Sequence, residues 1–225
     1  MDSKFWQQRW QEGRIGFHKS DVNPQLIEYF SELAVPIGSQ VLVPLCGKSV
    51  DMVWLAHAGY NVVGVELVET AVQAFFAEQK VIPTIAEFTS ATDNAILKRY
   101  QGQLAGQTIT LWAADIFALS ATDMGKINAV YDRAALIALP ATMRADYSTQ
   151  IVKLSNHAPQ LLITLNYDQS KKDGPPFSIS QQQLQQYYNG DYKIIALENQ
   201  LSTLNAASEL AVTEQVWLLS PSFTH

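Results

Sequence analysis

Short apolar runs alternate with amphipathic segments through most of the chain. Residues 41–45 and 62–65 are rich in Val and Leu and are bounded by polar and turn residues, which is typical of strands buried inside a sheet. Between them, residues 49–58 carry a helical pattern that Gly59 ends. A strand, a helix and a second strand in this order predict a parallel βαβ unit.

The same alternation predicts the remaining elements. Helices are expected at residues 3–11, ending at Gly13, and from the cap Asn23 with Pro24 in the first turn to residue 33. Further helices are expected at residues 69–79, 140–154 and 180–188, with a helical piece at 94–100. Strands are expected at residues 108–113, 128–131, 161–165, 192–197 and 212–219. The last two strands, joined through residues 199–209, should pair antiparallel at the sheet edge.

This order of elements predicts an α/β fold, a three-layer α/β/α sandwich with a Rossmann-like, mostly parallel seven-stranded sheet and an antiparallel C-terminal strand. No repeat or long linker interrupts the chain, so residues 1–225 are expected to form a single domain. Ligands of such sheets bind at the carboxyl ends of the strands. The turns that follow the strands are therefore the first place to look for a site.

Composition narrows the class of protein. The hydrophobic fraction of 48% and charged fraction of 16% suit one sizeable core. Cys46 is the single cysteine and has no partner for an internal disulfide, so we expect a cytoplasmic protein. The net charge of −6, the pI of about 5.1 and the scattered basic residues argue against nucleic acid as a partner. No apolar run is long enough to span a membrane and no zinc-site spacing occurs, so neither membrane nor metal is expected.

Two turns carry candidate binding residues. The turn after the first strand holds Cys46, Gly47 and Lys48, and its glycine allows backbone to approach a ligand closely, although it is equally readable as a plain strand-to-helix turn. It lacks the glycine-rich fingerprint of dinucleotide and nucleotide loops. Glu66 ends the second strand, where an acid accepts hydrogen bonds from ribose hydroxyls in nucleoside-binding folds; the alternative is a solvated acid that begins a helix.

Two later strand ends add further candidates. Asp115 and Ile116 follow the third strand and would frame an adenine ring, unless they merely end the strand. Arg133 follows the fourth strand, where its guanidinium would pair with a carboxylate or stabilise an anionic acceptor. The alternative is a local ion pair between Asp132 and Arg133 that involves no ligand.

Several longer motifs stand in order along nearly the whole chain: Trp6-Gln-Gln-Arg-Trp10, Gly16-Phe17-His18, Val43-Pro-Leu-Cys-Gly-Lys-Ser49, Asp51-Met52, Gly64-Val65-Glu66, Tyr131-Asp-Arg-Ala-Ala-Leu136, Ala138-Leu-Pro140 and Gly174-Pro-Pro-Phe177. Together they resemble the thiopurine S-methyltransferase family, which are class I methyltransferases that use S-adenosylmethionine and release S-adenosylhomocysteine. In that family the first binding motif is itself the Pro-Leu-Cys-Gly-Lys turn, so a glycine-rich loop is not expected.

The resemblance implies roles for individual residues. The methyl donor would be contacted by Trp10, Leu45, Gly47, Glu66 and Arg133, with Asp115 and Ile116 lining the adenine pocket. Residues 1–36 would form a helical cover over the site, in which Trp6, Trp10 and Phe17 face the donor; packing of the two tryptophans onto the sheet is the alternative. The acceptor would meet Arg14, Phe17 and His18 and the loop residues Pro176 and Phe177, in a segment that is either a mobile flap or an ordinary surface loop.

The function implied is transfer of a methyl group to thiopurines and other aromatic or heterocyclic thiols, or to selenium or tellurium species, by in-line displacement in a monomeric enzyme. Arg133 is the candidate catalytic residue, and no general base is named because a thiolate is already a strong nucleophile. Two rivals remain at this stage. A nicotinamide-dependent oxidoreductase should carry the missing glycine fingerprint, whereas a non-catalytic donor-binding sensor would carry the same binding residues as an enzyme.

Overall fold

The computed structural model describes residues 3–90, 94–202 and 210–222. The helices are α1 (Ser3–Gln11), α2 (Pro24–Tyr29), α3 (Asp51–His57), α4 (Glu69–Glu78), α5 (Ala121–Met124), α6 (Ala141–Ser155) and α7 (Gln181–Tyr188). The strands are β1 (Gln40–Pro44), β2 (Asn61–Glu66), β3 (Thr84–Thr89), β4 (Ile96–Leu104), β5 (Gln107–Ala113), β6 (Ala129–Arg133), β7 (Gln160–Asn166), β8 (Tyr192–Leu201) and β9 (Thr213–Pro221).

The strands form one sheet in the order β3-β4-β5-β2-β1-β6-β7-β9-β8. The five central strands, β5, β2, β1, β6 and β7, pair in parallel. On the flanks, β3 and β4 on one side and β9 and β8 on the other pair antiparallel. The predicted fold class and the C-terminal antiparallel pair are confirmed. Part of the connection predicted at 199–209, residues 203–209, lies outside the described residues.

The predicted helical piece at residues 94–100 is wrong. Residues Ile96–Leu104 form β4, which pairs with β5 on one side and β3 on the other, so the sheet has nine described strands rather than seven. The side chains explain the difference: the guanidinium of Arg99 lies 4.8 Å from the ring of Phe88 and 5.7 Å from that of Trp112, contacts made across three neighbouring strands. Packing against neighbouring strands overrides the helical preference of a short polar segment.

Helices cover both faces of the sheet, as a three-layer sandwich requires. Successive residues of the central strands enter two separate apolar cores: Leu42 and Val63 pack with α6 on one face, and Val41 and Val62 pack with α2, α3 and α4 on the other. No helix in the described part of the chain is both long enough and apolar enough to cross a membrane.

Local sequence explains where α2 begins and how the turn after β1 sits. The side-chain oxygen of Asn23 accepts hydrogen bonds from the backbone N–H groups of Gln25 and Leu26, as predicted for a helix cap. In β2, a Cβ at Gly64 would lie 2.5 Å from the Leu111 side chain and 2.7 Å from Sγ of Cys46. Glycine at this position therefore allows Cys46 to pack directly onto the sheet, which places the next residues over the end of β2.

Candidate active site

A cavity of about 760 Å³ lies at the carboxyl ends of the parallel strands, beneath the N-terminal segment. Its size is in the range of small-molecule and cofactor sites. Residues from the ends of β1, β2, β6 and β7 form its floor, including Leu45, Glu66, Arg133 and Ile163. The cover comes from residues 6–25, which places the cavity where the strand pattern had predicted a site.

Glu66 lies at the base of this cavity and holds the turn after β1. Its Oε2 accepts a hydrogen bond from the Gly47 N–H at 2.9 Å, and its Oε1 accepts one from the Val68 N–H at 2.7 Å. The residue is only 7% exposed. The alternative of a solvated acid is therefore excluded by its burial, and the carboxylate keeps lone pairs for further donors because each oxygen can accept more than one hydrogen bond.

Burial sets the charge state of Glu66. Removal of the carboxylate from water raises its pKa from 4.5 to about 7, although the backbone hydrogen bonds from Val68 and Gly47 favour the charged form. The side chain is thus poised between its neutral and charged forms near neutral pH. Hydrogen-bond donors of a ligand would stabilise the charged form further.

Gly47 lies directly beneath the aromatic part of the cover. Its φ of +53° is in the left-handed region, and a Cβ there would lie 3.1 Å from Cζ2 of Trp10. Trp10 in turn makes an edge contact with Phe17 at 5.7 Å between ring centroids, and Trp6 meets the same ring at 5.8 Å. The predicted aromatic cover is therefore assembled around Phe17, with all three rings lining the cavity.

Arg133 forms an ion pair with Asp51, not with its neighbour Asp132. The Nε of Arg133 lies 2.7 Å from Oδ2 of Asp51, while the other nitrogens donate to Ser49 Oγ (3.1 Å) and the Phe17 carbonyl (3.4 Å). Asp132 instead accepts hydrogen bonds from the hydroxyl of Tyr147 and a backbone N–H. The guanidinium is thus fixed in orientation by partners from the start of α3, the turn before it and the cover.

Asp51 is a cavity residue whose contacts the sequence did not reveal. Its carboxylate is buried and also accepts the Asn23 N–H (2.9 Å) and the Tyr131 hydroxyl (3.0 Å). Asp51 is the first residue of α3, where an acid is favoured by the helix dipole, so its position suggests only an ordinary helix start. The available signal was its place in the Asp51-Met52 motif.

Of the two candidate adenine contacts, only one lines the cavity. Ile116 is buried and contributes to the wall, together with Ala114. Asp115 does not line the cavity; its carboxylate accepts the Phe117 N–H at 3.0 Å and caps the short 3-10 turn Ile116–Ala118. The Asp115 side chain thus fixes the turn that presents Ile116, which matches the simpler of the two sequence interpretations.

The predicted acceptor residues divide in the same way. Phe17, His18 and Pro176 line the cavity, whereas Arg14 and Phe177 do not. Arg14 is exposed and pairs with Glu12. The Phe177 ring packs against the Arg144 guanidinium at 5.3 Å. Among the residues that do line the cavity, His18 has a pKa lowered chiefly by burial.

Gln25 and Glu214 are two cavity residues that were not predicted. Gln25 lies in α2 and is 3% exposed, and Glu214 is half-buried at the start of β9. A polar residue inside an amphipathic helix and an acid at a strand start look like surface positions in sequence. Leu26 of α2 and Val216 of β9 belong to the same apolar core, and periodicity does not encode this meeting of distant parts of the chain.

The chain matches the family model described as thiopurine S-methyltransferase over residues 1–220. The thiopurine S-methyltransferase of Psychrobacter cryohalolentis is 58% identical over 98% of this chain and 99% of its own length. That of Teredinibacter turnerae is 41% identical over 98% of each chain.

Among solved structures, the 1,6-didemethyltoxoflavin-N1-methyltransferase of Burkholderia thailandensis with bound S-adenosylhomocysteine aligns at a TM-score of 0.60 and 12% identity, covering 97% of this chain and 87% of its own. The magnesium protoporphyrin IX methyltransferase of Synechocystis with bound SAM aligns at a TM-score of 0.58 and 14% identity, covering 98% and 97%. At such identities the likeness concerns the fold.

Proposed function

We propose, since the chain belongs to the thiopurine S-methyltransferase family, that it methylates the sulfur of thiopurines and of other aromatic or heterocyclic thiols. The chain is an S-adenosylmethionine-dependent methyltransferase. We further propose a role for each cavity residue.

The cavity residues fit the adenosyl donor in chemistry. A buried carboxylate at the end of β2 suits the two hydroxyls of a ribose, which are hydrogen-bond donors, and Glu66 is such a carboxylate. Ile116 and Leu45 supply apolar surface for a flat base, and Gly47 leaves room for close approach under Trp10. We assign Glu66 to the ribose, Ile116 to the adenine, and Trp10 to the side of the sulfonium, where an aromatic face contributes about 0.5–2 kcal/mol through a cation–π contact.

S-adenosylmethionine supplies an activated methyl group on a positively charged sulfur. The protein's own task is to align an acceptor sulfur with that methyl and to exclude water, and orientation of this kind contributes up to about 7–11 kcal/mol in favourable cases. The aromatic cover formed by Trp6, Trp10 and Phe17 lines the cavity and would exclude water from a bound donor. Arg133, fixed by Asp51 and Ser49, provides a positive charge at the cavity wall that stabilises an anionic acceptor.

The observation that carries the proposal is the buried Glu66 carboxylate, which binds the Gly47 turn at the base of a cavity covered by aromatic rings. The test is incubation with radiolabelled S-adenosylmethionine and a panel of thiopurines, aromatic thiols, and selenium and tellurium species. We expect labelled S-methyl products from thiopurines and aromatic thiols. A non-catalytic sensor would bind the donor and transfer label to none of the panel.

Selenium and tellurium acceptors are included in the proposal because they share the soft, nucleophilic character of sulfur. We further propose a monomeric, cytoplasmic enzyme. The floor and the aromatic cover of the cavity come from the same chain, so the site as we assign it needs no residue of a second subunit. Cys46 is the single cysteine and has no partner for an internal disulfide, which is consistent with a reducing compartment.

A further inference from the structure

Pro175 and Pro176 line one wall of the cavity, and their chemistry limits how that wall can be held. Neither proline has a backbone N–H, so neither can donate a hydrogen bond to the rest of the molecule. Both lie outside the helices and strands, in the loop of residues 167–178 that follows β7, which we call the proline loop. The position of this wall therefore depends on its carbonyl acceptors and on the residues beside the two prolines.

Two hydrogen bonds tie the wall to the body of the molecule. The hydroxyl of Tyr167 donates to the carbonyl of Pro176 at 2.6 Å, and the N–H of Phe177 donates to the carbonyl of Ile137 at 2.7 Å. Tyr167 is only 8% exposed, and Tyr167 and Ile137 both line the same cavity. Because the two hydrogen bonds hold consecutive residues, the rigid ring of Pro176 has a defined place at the cavity.

Gln169 holds the proline loop together, although it lies outside the cavity lining. Its side-chain nitrogen donates to the Tyr167 hydroxyl at 3.3 Å and to the Lys172 carbonyl, and its Oε1 accepts the Ser178 N–H at 2.8 Å. A backbone N–H is only a donor and a backbone carbonyl only an acceptor, so these partners fix the orientation of the amide. One side chain thus connects the first residue of the loop to the last.

The hydrogen bonds form a chain from Gln169 through the Tyr167 hydroxyl to the Pro176 carbonyl. The hydroxyl accepts one bond and donates the next, so each bond strengthens the other. On the far side of the prolines, the Phe177 ring lies so close to Gly174 that a Cβ there would come within 2.5 Å of the ring. Phe177, which the family resemblance assigned to the acceptor, therefore supports the wall from outside the cavity.

A wall held in this way has consequences for binding. The proline rings present apolar surface, and a loop that is ordered before binding loses little conformational freedom when a ligand arrives. A flat, rigid acceptor gains most from such a surface, because it too has little freedom to lose. The hydrogen bonds of the proline loop thus bear on the choice of acceptor.

We propose that Gln169 and Tyr167 are positioning residues that fix the Pro175–Pro176 wall of the acceptor site, so that the cavity is shaped for a flat ring before an acceptor binds. The inference rests on the proposed function and refines how its acceptor class is selected. The proline loop is then neither a mobile flap nor an ordinary surface loop. The Tyr167 hydroxyl acts through the Pro176 carbonyl, and Gln169 acts through that hydroxyl and the Ser178 N–H.

The test compares wild type with Tyr167→Phe, which keeps the ring and removes only the hydroxyl, with Gln169→Ala and with the double variant. Ser170→Ala is the matched control, because the Ser170 hydroxyl donates to Asp168 in the same loop and not to the proline wall. Three quantities are measured. They are kcat and KM for 4-nitrothiophenol at saturating S-adenosylmethionine, the dissociation constant of S-adenosylhomocysteine, and amide hydrogen exchange of residues 172–179 in the ligand-free protein.

We expect each single variant to raise the KM for 4-nitrothiophenol about fivefold, the effect of one lost hydrogen bond of ordinary strength. The kcat and the dissociation constant of S-adenosylhomocysteine should stay within about twofold of wild type. The double variant should raise KM by less than the product of the single effects, because both residues act on one wall. Exchange of residues 172–179 should be faster in both single variants, whereas Ser170→Ala should match wild type in all three measurements.

Unchanged KM values in both single variants would overturn the positioning role. So would a rise in KM that is matched by weaker binding of S-adenosylhomocysteine, since a general loss of structure produces both. Single effects that multiply in the double variant would show that the two residues do not act on a common wall, and would also overturn it.

Failure of the proposed function would look different. Wild-type protein that methylates neither 4-nitrothiophenol nor 6-mercaptopurine would contradict the proposed function and, with it, the acceptor role of the wall. Hydrogen exchange needs no acceptor, so it still decides whether Gln169 and Tyr167 hold the proline loop: exchange at the wild-type rate in both single variants would show that they do not.

Discussion

The Nε of Arg133 donates a hydrogen bond to Oδ2 of Asp51 over 2.7 Å. The two residues are 82 positions apart in sequence, and the same carboxylate holds the backbone of Asn23 through its other oxygen. Asp51 therefore connects the end of β6 to the segment that joins the aromatic cover to α2. The orientation of Arg133 and the docking of the cover depend on one buried carboxylate.

Substitution Asp51→Asn should lower the free energy of unfolding by about 3–5 kcal/mol, because it leaves the Arg133 charge buried without its anionic partner. Urea denaturation measures the change. The control is Asp191→Asn: Asp191 forms an ion pair with His157 in which both side chains are about 40% exposed, so its loss should cost at most about 1 kcal/mol. Equal losses in the two variants would contradict the structural role of Asp51.

Substitution Gly47→Ala should destabilise the protein by about 1–3 kcal/mol through backbone strain and should also displace Trp10. Gly106→Ala is the matched control, because Gly106 also has a positive φ, of +80°, but nothing lies within 4 Å of an added Cβ. Both variants should lose stability in thermal unfolding, but only Gly47→Ala should weaken binding of S-adenosylhomocysteine. If both variants bind S-adenosylhomocysteine equally well, Trp10 does not contribute to the donor site.

Residues whose role follows from strand order were predictable from sequence. Glu66 and Gly47 lie where βα turns of any such sheet place ligand contacts, so position alone makes them candidates. Asp51 was missed because its hydrogen bonds join segments far apart in the chain. Periodicity reports which face of an element is buried, but it does not report which distant residue lies opposite.

The error at residues 94–100 has the same origin. Lys98 and Arg99 have good helical propensity, and only the neighbouring strands reveal that they belong to a hairpin. Arg14 and Phe177 were assigned to the acceptor site by family resemblance, whereas the structure places both outside the cavity lining. The motif gave their place in the chain, but not the direction of their side chains.

The stability of the ligand-free protein should depend on Glu66 between pH 4.5 and about 7. Its folded pKa is raised, so the folded state holds the proton more tightly and stability is lost as pH rises through this window. The shift corresponds to about 3 kcal/mol. We expect wild type to lose unfolding free energy relative to Glu66→Gln, by an amount of that order, as the pH rises from acidic to neutral. A difference between the two proteins that does not change with pH would contradict the raised pKa.

Cys46 should be unreactive in the folded protein. Burial, with a smaller contribution from the charge of Glu66, raises the pKa of its thiol well above the ordinary value, and the side chain packs against Gly64 and Leu111. A thiol-specific chromogenic reagent should label the native protein far more slowly than the urea-unfolded protein. Labelling at comparable rates would show that the turn after β1 is open in solution.

Calorimetric titration of S-adenosylhomocysteine into wild type and Glu66→Gln tests the assignment of the donor site most directly. Glu32→Gln, which alters an exposed glutamate outside the cavity, is the control. The dissociation constant should rise at least tenfold in Glu66→Gln, on the order of 1.4 kcal/mol, and stay unchanged in the control. Wild-type affinity should also increase as pH rises through about 7, because ribose hydroxyls donate to the ionised carboxylate. Equal dissociation constants for wild type and Glu66→Gln at alkaline pH would contradict the account and place the adenosyl group elsewhere.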